Sequence, residues 1–204
     1  MSLATFKKAL ALAENYGETI EIGGGEPTLH PSFWEILGLA ISVDAESPPW
    51  LATNGKITNI ALRLAAMAKK GVISVRLSRD EYHEEIDPRV IEAFTKNRAR
   101  SHPEYGNDYN NDCREVWKGP FHSLVNAGRA RRLRNVEKNK TCPCATLFID
   151  PSGDIWECGC KKVLIGNVHT LTEIPEEYTN DDNYGGEEHC TKSRLKYEHM
   201  AMSA

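Results

Sequence analysis

An α/β protein built on a parallel sheet and followed by a small cysteine-rich β-hairpin is the fold class that this 204-residue chain predicts. Three observations carry it. Helix-like and strand-like stretches alternate over the first hundred residues. A glycine-rich or polar turn follows each strand. Five of the six cysteines lie after residue 140. Alternating β and α segments argue for parallel strands joined by right-handed crossovers. In such sheets ligands bind at the C-terminal ends of the strands.

The elements follow in order. Residues 2–16 place Leu3, Phe6, Ala9, Leu10 and Ala13 at helical spacing, with Gly17 as a C-cap. Residues 18–22 read as a short buried strand ending in Gly23-Gly24-Gly25-Glu26-Pro27. Three adjacent glycines let a backbone pass close to a ligand. Pro27 confines Glu26 to extended geometry, which aims one carboxylate at the space above the strand end and suits a ligand with a cationic amine. Pro31 is expected in the first turn of a helix running through Trp34, Leu37 and Ile41. Trp50 to Thr53 is a second strand, closed by Asn54-Gly55. Ile57 to Lys70 is a helix that stops at Gly71. Val72 to Ser78 is a third strand, and Asp87-Pro88 opens a helix reaching about Arg100.

Residues 101–120 are polar and turn-rich, and read as a surface loop. The basic run Arg129, Arg131, Arg132, Arg134, Lys138 and Lys140 reads as a solvated linker or helix face. The domain division expected is 1–128 for the β/α part and 129–204 for the cysteine-rich part.

Composition is that of an ordinary globular protein, with 40% hydrophobic and 26% charged residues and a mean hydropathy of −0.49. The net charge of −4 gives no electrostatic case for nucleic acid. No apolar run reaches the length of a membrane span, and the first residues lack a signal-peptide core. A cytoplasmic location is expected. In a reducing compartment clustered cysteines point to a metal site.

Thr146 to Ile149 and Asp154 to Glu157 are strand-like and flank Asp150-Pro-Ser-Gly153, a turn sequence. The hairpin carries Cys142 and Cys144 at one base and Cys158 and Cys160 at the other. Four converging thiolates suit zinc or an iron–sulfur cluster. The Cys-x-Cys spacing is tighter than the Cys-x-x-Cys of a zinc ribbon, and Cys190 is a further candidate ligand. A smaller one-metal site stays open.

These residues resemble a family. Gly24-Gly25-Glu26-Pro27 is similar to the GGEP motif of radical S-adenosylmethionine (radical SAM) enzymes, which follows the second barrel strand and binds the amino group of the methionine moiety. Thr53-Asn54-Gly55 is similar to the triplet that ends the family's third strand. Ser78 is similar to the fourth-strand position that meets the methionine carboxylate or the ribose. Cys142, Gly153, Cys158 and the run Ile165-Gly166-Asn167-Val168 resemble the auxiliary-cluster region called SPASM or twitch.

The resemblance implies a partial (β/α) radical SAM-type barrel that binds S-adenosylmethionine through Gly24, Gly25, Glu26, Pro27, Thr53, Asn54 and Ser78. It implies an auxiliary iron–sulfur cluster, of the 4Fe–4S kind, on Cys142, Cys144, Cys158, Cys160 and Cys190. The implied chemistry is radical hydrogen abstraction from a substrate, a peptide being one class. One departure matters. Family members carry a Cys-x-x-x-Cys-x-x-Cys loop after the first strand, and no cysteine precedes Cys113 here. The expectation is that a partner chain or an upstream segment supplies the first strand and that loop, or that the chain is a degenerate relative, and that the chain alone does not cleave S-adenosylmethionine. The rival class is a non-enzymatic metal-binding adaptor module.

His83, with Glu84 and Glu85 beside it, is a weak candidate for proton transfer. His30 reads as a residue at the start of a helix, Trp34 as core, and Trp156 as a cover over the cysteine site.

Overall fold

A computed structural model describes residues 1–13, 19–43, 47–79, 83–96, 112–117, 124–125, 136–137, 147–159, 161 and 163–178. The chain divides into two compact units, residues 17–120 and residues 1–16 with 121–204. Among the described residues no helix is long and apolar enough to cross a membrane.

The first unit is a four-stranded parallel sheet in chain order. Strand β1 (Glu21–Ile22) pairs with β2 (Trp50–Thr53), β2 with β3 (Ser74–Ser78), and β3 with β4 (Arg114–Trp117). Burial alternates along β2 and β3, so that Leu51, Thr53, Val75 and Leu77 point into the core while Trp50, Ala52, Ser74, Arg76 and Ser78 occupy the half-buried face. Three helices share that one core. Phe33 and Leu37 come from α2 (Phe33–Ile41), Ala61, Leu64, Ala65 and Ala68 from α3 (Thr58–Lys69), and Val90 and Phe94 from α4 (Pro88–Thr95). Burying each of these larger side chains contributes about 1.5–3 kcal/mol. Sequential strand order with all helices packed in one core is single winding, unlike a doubly wound sheet, whose order reverses at a switch point.

Local chemistry sets several ends. Helix α3 closes in a Schellman motif, with Gly71 N donating to Ala68 O at 3.0 Å and Val72 N to Met67 O at 3.2 Å. Val72 is consumed by that motif, so β3 starts at Ser74 rather than at the expected Val72. Asp87 caps α4 by accepting from Arg89 N at 2.9 Å, with Pro88 in the first turn.

Two expectations are corrected. Pro31 lies ahead of α2, not in its first turn, because a 3-10 turn (Pro27–Leu29) intervenes and Ser32 N donates to His30 Nδ1 at 3.1 Å. Within the polar stretch 101–120, residues Arg114–Trp117 form strand β4 instead of loop. The buried Arg114 pairs with Asp112 and donates from Nη1 to the carbonyls of Ala93 and Lys96, at 2.5 and 3.2 Å. The same guanidinium takes the last carbonyls of α4, which ends at Thr95 and not near Arg100.

The second unit pairs α1 (Leu3–Ala13) with a three-stranded antiparallel sheet. Ala9 and Leu12 pack on Ile155 and Val168. Two short parallel segments, β5 (Leu124–Val125) and β6 (Val136–Glu137), precede the sheet; the six basic residues of the run all lie outside the described residues. The expected hairpin is present: β7 (Phe148–Ile149) pairs with β8 (Asp154–Trp156), and β9 (Leu164–Asn167) adds a third strand.

Candidate functional site

Glu26 sits where β1 gives way to the glycine run, and its carboxylate does not stand alone. Oε1 accepts from Thr28 N at 3.2 Å, Thr28 Oγ1 at 2.6 Å and Thr53 Oγ1 at 2.9 Å. Oε2 accepts from Asn54 N at 2.6 Å. One side chain thus ties the turn after β1 to the end of β2, twenty-eight positions along the chain. All four donors are neutral. Among the described residues no Lys, Arg or His forms an ion pair with Glu26.

The sequence explains this arrangement. Pro27 holds Glu26 extended, at φ −109° and ψ 108°, so the side chain caps the following turn. Thr53 falls on the core-facing parity of β2 and is 3% exposed. Its hydroxyl donates to Glu26 and accepts from Gly55 N at 3.1 Å. Gly55 has φ +73°, and a Cβ there would lie 2.7 Å from Leu77 Cδ1, so the chain must be glycine to leave β2 this way.

Gly23, Gly24 and Gly25 are exposed, and a Cβ at any of them would meet nothing within 4 Å. No described side chain therefore demands three glycines. Gly24 alone needs one for its backbone, at φ +132°. No described residue donates a hydrogen bond to the carbonyls of Gly24 or Gly25. An anchored carboxylate of uncompensated charge beside bare backbone acceptors is the acceptor set that a primary ammonium group needs.

Asn54 Oδ1 accepts from Lys56 N at 3.0 Å. Ser78 ends β3, half-buried on the face opposite Val75 and Leu77. His83 and Glu85 are exposed. Glu84 pairs with Lys56 at 2.8 Å, and that ammonium holds the Glu84 carboxyl below its ordinary value. The structure therefore gathers Glu26, Thr53 and Asn54 directly, with Gly24, Gly25 and Pro27 in the same turn. Thr28 was missed. The signal for it was a hydroxyl two residues after a carboxylate, the spacing of a local side-chain cap.

In the other unit, Cys158 is buried at the end of β8. Cys142, Cys144, Cys160 and Cys190 lie outside the described residues. Among the described residues no three His, Cys, Asp or Glu side chains converge as a metal site would need. The hairpin is braced by a second carboxylate. Asp150 Oδ1 accepts from Ser152 N at 2.9 Å, from Ser152 Oγ and from Asp154 N at 3.2 Å. Oδ2 accepts from Trp156 Nε1 at 3.2 Å and Lys161 Nζ at 2.7 Å. Burial by itself would raise the Asp150 carboxyl. The bonds from Lys161, Ser152 and Trp156 outweigh it and hold the group well below the usual carboxylate range. Lys161, at φ +55°, places its ammonium 5.4 and 5.6 Å from the ring centres of Phe148 and Trp156. Trp156 thus donates to this brace.

No family model and no curated protein matches the chain by sequence. Its fold is similar to the crystal structure of BtrN in complex with AdoMet and 2-DOIA, with a TM-score of 0.59 and 16% identity, over 90% of this chain and 71% of that one. The likeness shows a shared α/β fold.

Proposed function

We propose that this chain has a radical SAM-like fold and binds S-adenosylmethionine at the C-terminal ends of β1 to β3. One observation carries the reading. Glu26 is an anchored carboxylate with four neutral donors and no described cation partner, and it stands beside exposed glycine backbone that no neighbouring atom requires. Such a site takes an ammonium group at a strand end, where the methionine amine of S-adenosylmethionine belongs in the family that the Gly24–Pro27 motif resembles. The fold shared with a protein solved with AdoMet supports it. Gly24 and Gly25 offer carbonyls to the amine, Pro27 holds Glu26 in place, and Asn54 and Ser78 border the same strand ends.

The cysteines extend the proposal. Four of Cys142, Cys144, Cys158, Cys160 and Cys190 hold an iron–sulfur cluster of the 4Fe–4S kind in an auxiliary role. With its cofactors the chemistry is radical hydrogen abstraction from a substrate, with a peptide as one class. The Cys-x-x-x-Cys-x-x-Cys loop that such chemistry needs is not among these 204 residues; a partner chain or further segment would supply it, or the chain is a degenerate relative without that chemistry.

Equilibrium binding of S-adenosylmethionine to the full chain, followed by anaerobic reconstitution with iron and sulfide, tests both parts. Binding weakened in Glu26→Gln and a brown protein with broad absorption near 400 nm, on the order expected for thiolate-to-iron charge transfer, are the expected results. Formation of 5′-deoxyadenosine by the chain alone would overturn the requirement for an outside loop. A colourless protein with stoichiometric zinc and no S-adenosylmethionine binding would favour the adaptor module.

A further inference from the structure

The two oxygens of Glu26 are used unequally. Oε1 accepts three hydrogen bonds, two of them from the hydroxyls of Thr28 and Thr53, whereas Oε2 accepts one, from the Asn54 amide. A carboxylate offers about four acceptor directions, two on each oxygen. Oε1 is therefore filled and Oε2 retains one direction. Both hydroxyls are inside the protein, Thr28 at 6% and Thr53 at 3% exposure, so neither is placed to meet a ligand itself. They come from two segments, the turn after β1 and the end of β2, and so fix the carboxylate against both.

We propose that Thr28 and Thr53 are positioning residues, whose hydroxyls fill Oε1 of Glu26 and leave Oε2 as the oxygen that accepts from a ligand's primary ammonium group. This rests on the reading of the loop as a site for S-adenosylmethionine. It changes the part played by Thr53, which acts through Glu26 and not by touching the ligand. Thr28, unassigned by the sequence, has the same part.

The test uses the full chain, two probes and three variants. The probes are S-adenosylmethionine and 5′-methylthioadenosine, which keeps the nucleoside and the sulfur, as a neutral thioether in place of the sulfonium, and lacks the chain that carries the ammonium and carboxylate groups. Thr53→Val removes one charge-assisted bond and keeps the shape, and it is expected to weaken S-adenosylmethionine about tenfold while leaving 5′-methylthioadenosine within about twofold. Thr28→Val behaves alike and replaces it should Thr53→Val fail to fold. Thr53→Ser restores the hydroxyl and returns S-adenosylmethionine affinity to within about twofold of the native chain. Equal loss for both probes, or no loss for either, overturns the proposal.

Amide hydrogen exchange at Asn54, measured without any probe, decides the case in which the native chain binds neither. Exchange about tenfold faster in Thr53→Val shows that the hydroxyl holds Glu26 in place, and the S-adenosylmethionine reading falls alone. Unchanged exchange overturns the positioning role as well.

Discussion

Two carboxylates organise the two units, and their surroundings differ in one decisive respect. Asp150 collects five donors, all within eleven positions of itself, and one of them is the ammonium of Lys161. Its charge is compensated where it stands. Glu26 collects four donors, two of them from the end of another strand, and none carries a charge. Neutral donors orient a carboxylate without cancelling it. The first arrangement closes a turn and is complete. The second leaves a directed negative charge at the open end of a parallel sheet, the place where such folds bind ligands. On the proposed reading of Glu26, the presence of an internal cation, and not hydrogen-bond number, separates the structural carboxylate from the binding one.

The sharpest way to break the comparison is to neutralise each carboxylate in turn. Glu26→Gln is expected to weaken S-adenosylmethionine by about tenfold to a hundredfold, measured by equilibrium titration, with little change in melting temperature. Asp150→Asn is expected to do the reverse. It leaves binding near the native value and costs the β7–β9 sheet about 1–3 kcal/mol, read from amide exchange along β8. If both variants lose binding equally, the two carboxylates do not differ in the way argued.

Acid sharpens the same contrast. The Asp150 carboxyl is depressed in the folded chain, so its contribution is present above the unfolded value near 3.9 and lost as pH falls through the folded one. The stability gap between the native chain and Asp150→Asn should hold from about pH 5 to 7 and shrink as pH drops below about 4. A gap unchanged at pH 3 would contradict the brace.

Smaller effects follow at the edges. Lys161→Met keeps the aliphatic stem against Phe148 and Trp156 but removes the cation. With that side chain 41% exposed, the loss in β8 stability should be under about 1 kcal/mol. Glu84→Gln cuts an exposed pair with Lys56 and should leave the melting temperature and binding unchanged, by thermal melts and titration.

Much of the fold was legible because its signals are short-range. The Asp150-Pro-Ser-Gly153 turn, the Asp87-Pro88 cap and the stop at Gly71 are each made by atoms within a few positions, and they form where expected. The order of helix-like and strand-like stretches announced the parallel strands at Trp50–Thr53 and Ser74–Ser78. The motif around Glu26 was visible too, along with its preference for a cation.

Less was legible where a residue depends on distant partners. Arg114 is an unpromising residue for a buried strand, and the local run around it is polar. It is buried because Asp112 and the carbonyls ending α4 receive it, and those carbonyls lie some twenty positions earlier. Thr53 was expected among the cofactor-binding residues because its triplet resembles the one that ends the radical SAM family's third strand. Which face of β2 it takes, and that a carboxylate from the preceding unit of chain waits there, follows from register and pairing.

Residue order alone settled the parallel β/α class, the positions of the turns and the presence of a carboxylate at a glycine-rich strand end, since each depends on neighbours in the chain. The assembled fold decided that β4 exists, where α4 stops, and which oxygen of Glu26 stays available. Those three outcomes require partners brought together across the sheet, and no spacing along the chain encodes them.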